Sequence, residues 1–384
     1  MDRSYPRIVL TGGPCGGKTT ALAYLYEKLS NAGYSIIMTP EVATMIINSG
    51  LNPAGVKSAT DFENLIMTTQ VFLEDHIFAH ALGIKNSHTS TELGVNKPLM
   101  ICDRGIMDAK AYIGDEDFKT ILARHKWDEV VLRDGRYDGV FHLVTAADGK
   151  PEYYNLDNPA RQEKTPKAAI RADRLTQEAW LGHPHFVVLD NSTLFEDKMK
   201  RLLNAIRKFL GDPVGIEIER KYLVGAVPHP LPVPHQVIEI EQHYLVSPNV
   251  NEVLRIRRRW QDGRGATFYL TKKSATESMI SRHETERQIT QDEYTRFLAD
   301  ADKDFDPVRK KRHCFIWQNQ YFELDVITAP ERIAGLILLE IELTEKNQQV
   351  NLPPWLPING EVTEDPKFTN YALAKKPTQT GCSV

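Results

Sequence analysis

The segment Gly12-Gly13-Pro14-Cys15-Gly16-Gly17-Lys18-Thr19 separates an apolar run, Arg7 to Thr11, from a helical pattern, Lys18 to Ser30. It fits the spacing G-x-x-x-x-G-K-[ST], and strand–loop–helix is the context that this spacing needs. Glycines let backbone N–H groups close around phosphate oxygens at a helix N-terminus. Gly12, Gly13, Pro14, Cys15, Gly16, Gly17, Lys18, Thr19 and Thr20 are therefore nucleotide-binding candidates. Lys18 is placed to reach the β- and γ-phosphates, and the Thr19 hydroxyl to help hold Mg²⁺.

The first half continues in the same style. Buried strands are expected at Arg7 to Thr11, Ser35 to Thr39, Leu99 to Asp103, Gly139 to Val144 and Phe186 to Leu189. Helical patterns lie between them at Lys18 to Ser30, Phe62 to Leu82, Pro166 to Trp180 and Leu194 to Leu210. Strand–helix alternation predicts a parallel α/β sheet with flanking helices. Asp103 ends an apolar strand, where an acid meets Mg²⁺ directly or through water; a helix N-cap is the plainer alternative. Arg104 follows it. Glu41 ends the second strand and faces the same crevice. It suits a catalytic base or a first-turn helix acid. Lys18, Glu41, Asp103 and Arg104 are the catalytic candidates. Arg161, Arg171 and Arg174 are placed either to close over a transferring phosphoryl group or to lie on a solvated helix face.

With 384 residues the chain is too long for one small core, and two domains are expected. The pattern changes at Gly211-Asp212-Pro213-Val214-Gly215. The division is residues 1–211, residues 214–377 and a tail at 378–384. The second part reads as strands near 215–224, 236–246, 252–260, 265–273, 281–289, 308–317, 320–327 and 336–343, with one helix from Gln291 to Ala301. Eight largely antiparallel strands can close into a barrel.

These strands alternate charged and apolar residues. Glu217, Glu219 and Lys221 share one face, opposite Ile218 and Tyr222. Arg255 and Arg257 share another face, as do Arg282, Glu284 and Glu286. Lys310 pairs with Arg312, Glu323 with Asp325, and Glu340 with Glu342. A single such strand is an ordinary wet sheet face. Recurrence on strand after strand predicts one cavity lined by charges of both signs. Bare charges there would cost several kcal/mol each, so a metal and an anionic ligand are expected to complete it.

The net charge of −4 is small, so the chain as a whole is no polyanion magnet and basic sites must be local. No aromatic-plus-basic stripe supports a long nucleic-acid track. Four cysteines show neither zinc nor disulfide spacing, and Met1-Asp2-Arg3 opens no signal-peptide pattern. A cytoplasmic protein is expected, with peripheral contact as the only form of membrane association.

The first half resembles the NadR/Ttd-like P-loop family, which includes nucleoside-type kinases. The residues that carry the resemblance are the phosphate loop, Glu41, Asp103-Arg104-Gly105 and Leu189-Asp190-Asn191. No guanine-reading Asn-Lys-x-Asp motif is present, so ATP and GTP both stay open. The second half resembles the CYTH, or triphosphate tunnel metalloenzyme, family. Glu217-Ile218-Glu219-Arg220-Lys221, Arg255-Ile256-Arg257, Leu270-Thr271-Lys272-Lys273, Arg282-His283-Glu284-Thr285-Glu286, Leu339-Glu340-Ile341-Glu342 and the segment Glu361 to Asn370 carry it. That resemblance implies Mg²⁺ or Mn²⁺ on Glu217, Glu219 and Glu342, helped by Glu340. It implies phosphate oxygens on Lys221, Arg255, Arg257, Lys273, Lys310, Arg312 and Lys367. Of the two lysines side by side, strand alternation turns Lys273 inward. The two-domain arrangement resembles the TRPL-translocation-defect protein family. This implies GTP binding in the first half and phosphatidylinositol-phosphate binding in the second. Two functions follow: a metal-dependent triphosphate hydrolase joined to a P-loop kinase or NTPase, or a nucleotide-dependent module that binds phosphoinositide headgroups.

Overall fold

The computed structural model describes residues 5–51, 53–87, 97–154, 163–212, 218–249, 252–275, 282–345 and 347–377. The chain divides into two compact units, residues 2–212 and 213–384. Arg161, Glu217 and the tail at 378–384 lie outside the described residues.

Among the described residues the first unit forms a five-stranded sheet in the order β2-β3-β1-β4-β5, every neighbour parallel. The strands are β1 (Arg7–Gly12), β2 (Tyr34–Thr39), β3 (Lys97–Asp103), β4 (Gly139–Leu143) and β5 (Phe186–Leu189). Their near-continuous apolar runs reflect burial on both faces. Ile8, Leu10, Ile101, Phe141 and Leu189 pack with Leu25 of α1 (Lys18–Asn31) and Leu202 of α6 (Phe195–Phe209). The other helices are α2 (Val42–Asn48), α3 (Ala59–Ser87), α4 (Ala109–His125) and α5 (Pro166–Ala179). Two of them, α2 and α4, go beyond the sequence expectation. In α4 the helical geometry breaks at Gly114, φ +78°, which splits an already polar segment and blurs its periodicity.

Among the described residues the second unit forms one antiparallel sheet of nine strands rather than eight. In chain order they are β6 (Glu219–Val224), β7 (His235–Leu245), β8 (Glu252–Gln261), β9 (Gly265–Ala275), β10 (Arg282–Ile289), β11 (Val308–Trp317), β12 (Gln320–Ala329), β13 (Ile337–Glu342) and β14 (Ile358–Glu361). Their spatial order is β10-β9-β8-β7-β11-β12-β13-β6-β14. Among the described residues no ladder joins β10 to β14, so closure is not by backbone pairing there. The ninth strand escapes the sequence because it is four residues long, mostly exposed and interrupted by Gly360.

The apolar outer faces are covered by two short pieces of chain. Leu254, Ile256, Phe268 and Leu270 pack under α7 (Gln291–Phe297) and the following turn. A capping box between Thr290 and Glu293 starts that helix. Phe322, Leu324, Leu339 and Ile341 pack under Leu352, Trp355 and Leu356. A last short helix, α8 (Asn370–Ala374), was not expected; Ala374 joins a cluster with Tyr244, Val308 and Ile327.

Candidate functional sites

In the first unit the loop after β1 closes on itself, with Gly16 N–H donating to Gly13 O at 3.2 Å. Helix α1 then begins at Lys18 with no side-chain cap, so its first N–H groups face the loop. Gly17 holds φ +86°, and a Cβ there would meet the Phe195 ring at 2.6 Å. Gly13 is held from far along the chain: its N–H donates to Asp173 Oδ1 of α5 at 2.8 Å. The same carboxylate accepts from Thr145 N–H at 3.1 Å and lies 3.0 Å from His142 Nε2. Burial opposes this charge, but His142 and the N–H donors keep Asp173 below the usual carboxylate range.

The loop forms one side of a cavity of about 780 Å³. Lys18, Thr19, Thr20, Glu41, Asp103 and Arg104 all line it. Lys18 Nζ donates to Gly12 O at 3.2 Å. Burial and the Arg104 charge lower its pKa to about 8. Arg104 adopts φ +69°, costly for a residue with a Cβ. Its N–H donates to Leu10 O at 3.0 Å and its carbonyl accepts from Gln70 Nε2 at 3.0 Å. The guanidinium is then directed between Glu41, which its Nε grips, and Asp108, 3.4 Å away.

These contacts sort the acids. Burial pushes Glu41 up, but Arg104 and Lys18 pull it down to about 2. Asp103 moves the other way: burial raises it to about 6. Its Oδ1 is enclosed and accepts no hydrogen bond among the described residues. An enclosed, unpartnered carboxylate oxygen near Lys18, with the Thr19 hydroxyl on the same cavity, fits a hard divalent cation. Arg171 and Arg174 are exposed and do not line the cavity. Asp173, Asp108 and Glu63, none singled out from sequence, are built into the site instead. Their signal is weak, because a buried acid in a charged helix such as α5 reads like its solvated neighbours.

In the second unit, strand register assembles one charged face. Arg255, Arg257 and Arg259 of β8 stand opposite Thr271, Tyr269 and Thr267 of β9. Lys310 and Arg312 of β11, Glu323 and Asp325 of β12, Glu340 of β13 and Lys221 of β6 follow on the same face. Arg312 donates to Asp325 through Nε and through Nη2, both at 2.6 Å, and to Glu340 at 3.0 Å; it also grips Glu323. Lys310 pairs with Asp325 as well. Glu340 lies 2.8 Å from Lys221 Nζ. Burial opposes the Lys221 charge, but Glu340 and Glu219 hold it above the usual lysine range.

The β8 arginines are more crowded. Arg257 Nη2 donates to both Glu286 oxygens at 2.9 Å. Burial and the charges of Arg255, Arg259 and Arg312 still press Arg257 below the usual arginine range. Its Nε is enclosed with no acceptor among the described residues. A local excess of buried cation is what a polyanion would relieve.

This charged layer has apolar neighbours on the same face: Ile238, Ile240, Cys314 and Tyr321 towards one end of the strands, and Tyr244, Val308 and Ile327 towards the other. Glu219 and Glu342 are direct partners in the β6–β13 ladder, and both are exposed. Facing carboxylates with hard oxygen donors suit Mg²⁺ or Mn²⁺. Among the described residues no group of three or more His, Cys, Asp or Glu has metal-holding geometry; Glu217 is not among those residues. Lys273 lies on the charged face, while Lys272 turns away to Glu252 at 2.6 Å. Lys367 is exposed in a 3-10 turn, beside Phe368, whose carbonyl accepts from Lys221 Nζ at 3.4 Å. Asp325 is a central residue of this face that reads from sequence only as part of the charged alternation, not as ligand-binding.

The CYTH domain family matches residues 215–359, the span that carries this face. The chain belongs to the CYTH domain family. The AAA domain family matches residues 7–198, which places the phosphate loop in an AAA-type unit ahead of the CYTH unit. The CYTH unit is similar to an inorganic triphosphatase of Nitrosomonas europaea, 35% identical over 167 residues, 41% of this chain and 96% of that protein. An inorganic triphosphatase of Acetivibrio thermocellus is 34% identical over 110 residues, 28% of this chain and 66% of that protein. A crystal structure of an inorganic triphosphatase aligns at 30% identity with a TM-score of 0.32, covering 42% of this chain and 97% of that one. No helix among the described residues is long and apolar enough to cross a membrane.

Proposed function

We propose that the CYTH unit hydrolyses the terminal phosphoanhydride of tripolyphosphate or of a small triphosphate-bearing molecule, and that the AAA unit binds a nucleoside triphosphate. The observation that carries the first reading is the facing pair Glu219 and Glu342 beside the Lys221–Glu340–Arg312 network on one inward face. The similarity to inorganic triphosphatases supports it. Lys221, Arg255, Arg257, Lys273, Lys310 and Arg312 hold phosphate oxygens and fix the chain in line. Glu219 and Glu342 would hold Mg²⁺ or Mn²⁺, with Glu217 the third ligand that the family resemblance implies, and the metal would supply neutralisation of the phosphate charge. Water oxygen bonds to the terminal phosphorus as the bridging P–O bond breaks. The shortened phosphate leaves with the electron pair, and the water proton passes to solvent.

In the AAA unit, the loop N–H groups and Lys18 hold the β- and γ-phosphates, with Thr19 and Asp103 towards Mg²⁺. Glu41, ionised down to about pH 2 by Arg104, is better suited to holding that guanidinium than to accepting a proton. ATP and GTP are equally compatible with this reading.

Phosphate release from tripolyphosphate, ATP and GTP with Mg²⁺ or Mn²⁺ tests both parts. Tripolyphosphate cleavage should fall at least a hundredfold in Lys221→Ala and persist in Lys18→Ala, whereas nucleotide binding should show the reverse. No release from tripolyphosphate would sink the hydrolase reading. Selective binding to phosphoinositide vesicles over plain anionic vesicles, without release, would instead favour headgroup recognition.

A further inference from the structure

The cavity of the AAA unit has a second wall that no phosphate needs. Val42 of α2, Phe62 and Ile66 of α3 and Tyr112 of α4 make it apolar. Glu63 stands among them, 9% exposed, and lines the cavity. Among the described residues nothing hydrogen-bonds its carboxyl. The charges that act on it are Arg104, which favours the carboxylate, and Asp108, which opposes it. Lys18 feels Arg104, Glu41, Asp103 and Asp108. Glu63 thus shares Arg104 and Asp108 with the phosphate side. Burial dominates here and pushes the Glu63 carboxyl up to about 7.

A leucine would fill this position between Phe62 and Ile66 without an unmet polar group. A buried carboxyl with no partner costs free energy, so its place on a cavity wall points to a ligand that meets it. An anion would face Asp108 as well as Glu63. A cation would have to leave water for an apolar wall already served by Arg104. We propose that this wall seats a second, uncharged ligand: an apolar ring or chain bearing a hydroxyl or amide that hydrogen-bonds Glu63, held in the same cavity as the phosphates. The inference rests on the reading of the loop as a nucleotide site, and it makes the AAA unit a two-ligand site.

Benzyl alcohol, toluene, benzoate and benzylammonium offer one ring with four polar ends. Titration of each into the full chain, followed by methyl NMR of Val42 and Ile66, measures binding and places it. Benzyl alcohol should bind about tenfold more tightly than toluene, as one buried hydrogen bond implies, and ahead of both ions. Glu63→Gln should keep that preference and Glu63→Leu should abolish it, with the fold of each checked by its melting profile. The inference is overturned if no probe shifts these methyls at about 10 mM, if an ion binds best, or if the preference survives Glu63→Leu. ATP and GTP titrations on the wild-type chain separate the two readings. Nucleotide binding without probe binding removes this inference alone; probe binding without nucleotide removes the loop reading alone.

Discussion

Arg312 and Asp325 face each other across β11 and β12 as a buried fork, two N–H donors at 2.6 Å on one carboxylate. Asp325 is 1% exposed and also serves Lys310. Burial would raise its pKa, but Arg312 and Lys310 outweigh burial and hold it well below the usual carboxylate range. Its stabilising effect is therefore present above the ordinary aspartate pKa of about 4 and is lost only in stronger acid. Asp325→Asn should cost about 3–5 kcal/mol, the usual penalty for stranding buried partners. Tripolyphosphate should then raise the melting temperature of the variant by more than it raises that of wild type, because the anion replaces the lost charge. Equal shifts in the two proteins would separate Arg312 and Lys310 from ligand binding.

Glu219 and Glu342 are like charges in direct register, which destabilises a bare strand pair by a few tenths of a kcal/mol or more. Glu342→Gln should raise the melting temperature slightly in EDTA and remove the gain that Mn²⁺ gives the wild-type protein. Tripolyphosphate cleavage should drop at least a hundredfold. An unchanged Mn²⁺ dependence would count against these acids as metal ligands.

Gly13→Ala should damage only the AAA unit. The added Cβ would come within 2.3 Å of Asp173 Oδ1, which has its own partners in His142 and Thr145 and little room to withdraw. Nucleotide affinity should fall at least tenfold, while cleavage of tripolyphosphate stays within about twofold. Calorimetric titration with ATP and GTP and a phosphate-release assay read the two separately.

Glu63 has a folded pKa of about 7, raised above the ordinary glutamate value of about 4.3. The folded protein thus binds more protons than the unfolded chain between these values, and its stability falls as pH rises through that window. Glu63→Gln carries no such penalty. It should melt above wild type at pH 8, by up to about 3 kcal/mol, with the advantage shrinking towards pH 4.5. A pH-independent difference would mean that Glu63 is not desolvated in solution.

Much of this architecture is legible along the chain. The five strands of the first sheet announce themselves as apolar runs, and eight of the second sheet's strands as alternation of charge and hydrophobicity. What escapes is short, exposed or broken: β14 with Gly360, and α4 with its break at Gly114. At the sites, the loop and the charged strands are visible because their meaning depends on spacing alone. Asp173 is not, since its hydrogen bond to Gly13 spans 160 positions.

The sequence by itself determined that there are two units, one built around a phosphate loop and one around strands with a charged face. Alternation and motif spacing are local properties, and local sterics enforce them. Only the tertiary structure decided which charges meet. It placed Asp325 between Lys310 and Arg312 and turned Arg171 to solvent. It also left Glu63 and Asp103 desolvated while Arg104 kept Glu41 ionised. Burial and partner distance set how readily each acid ionises, and both depend on residues far away in the chain.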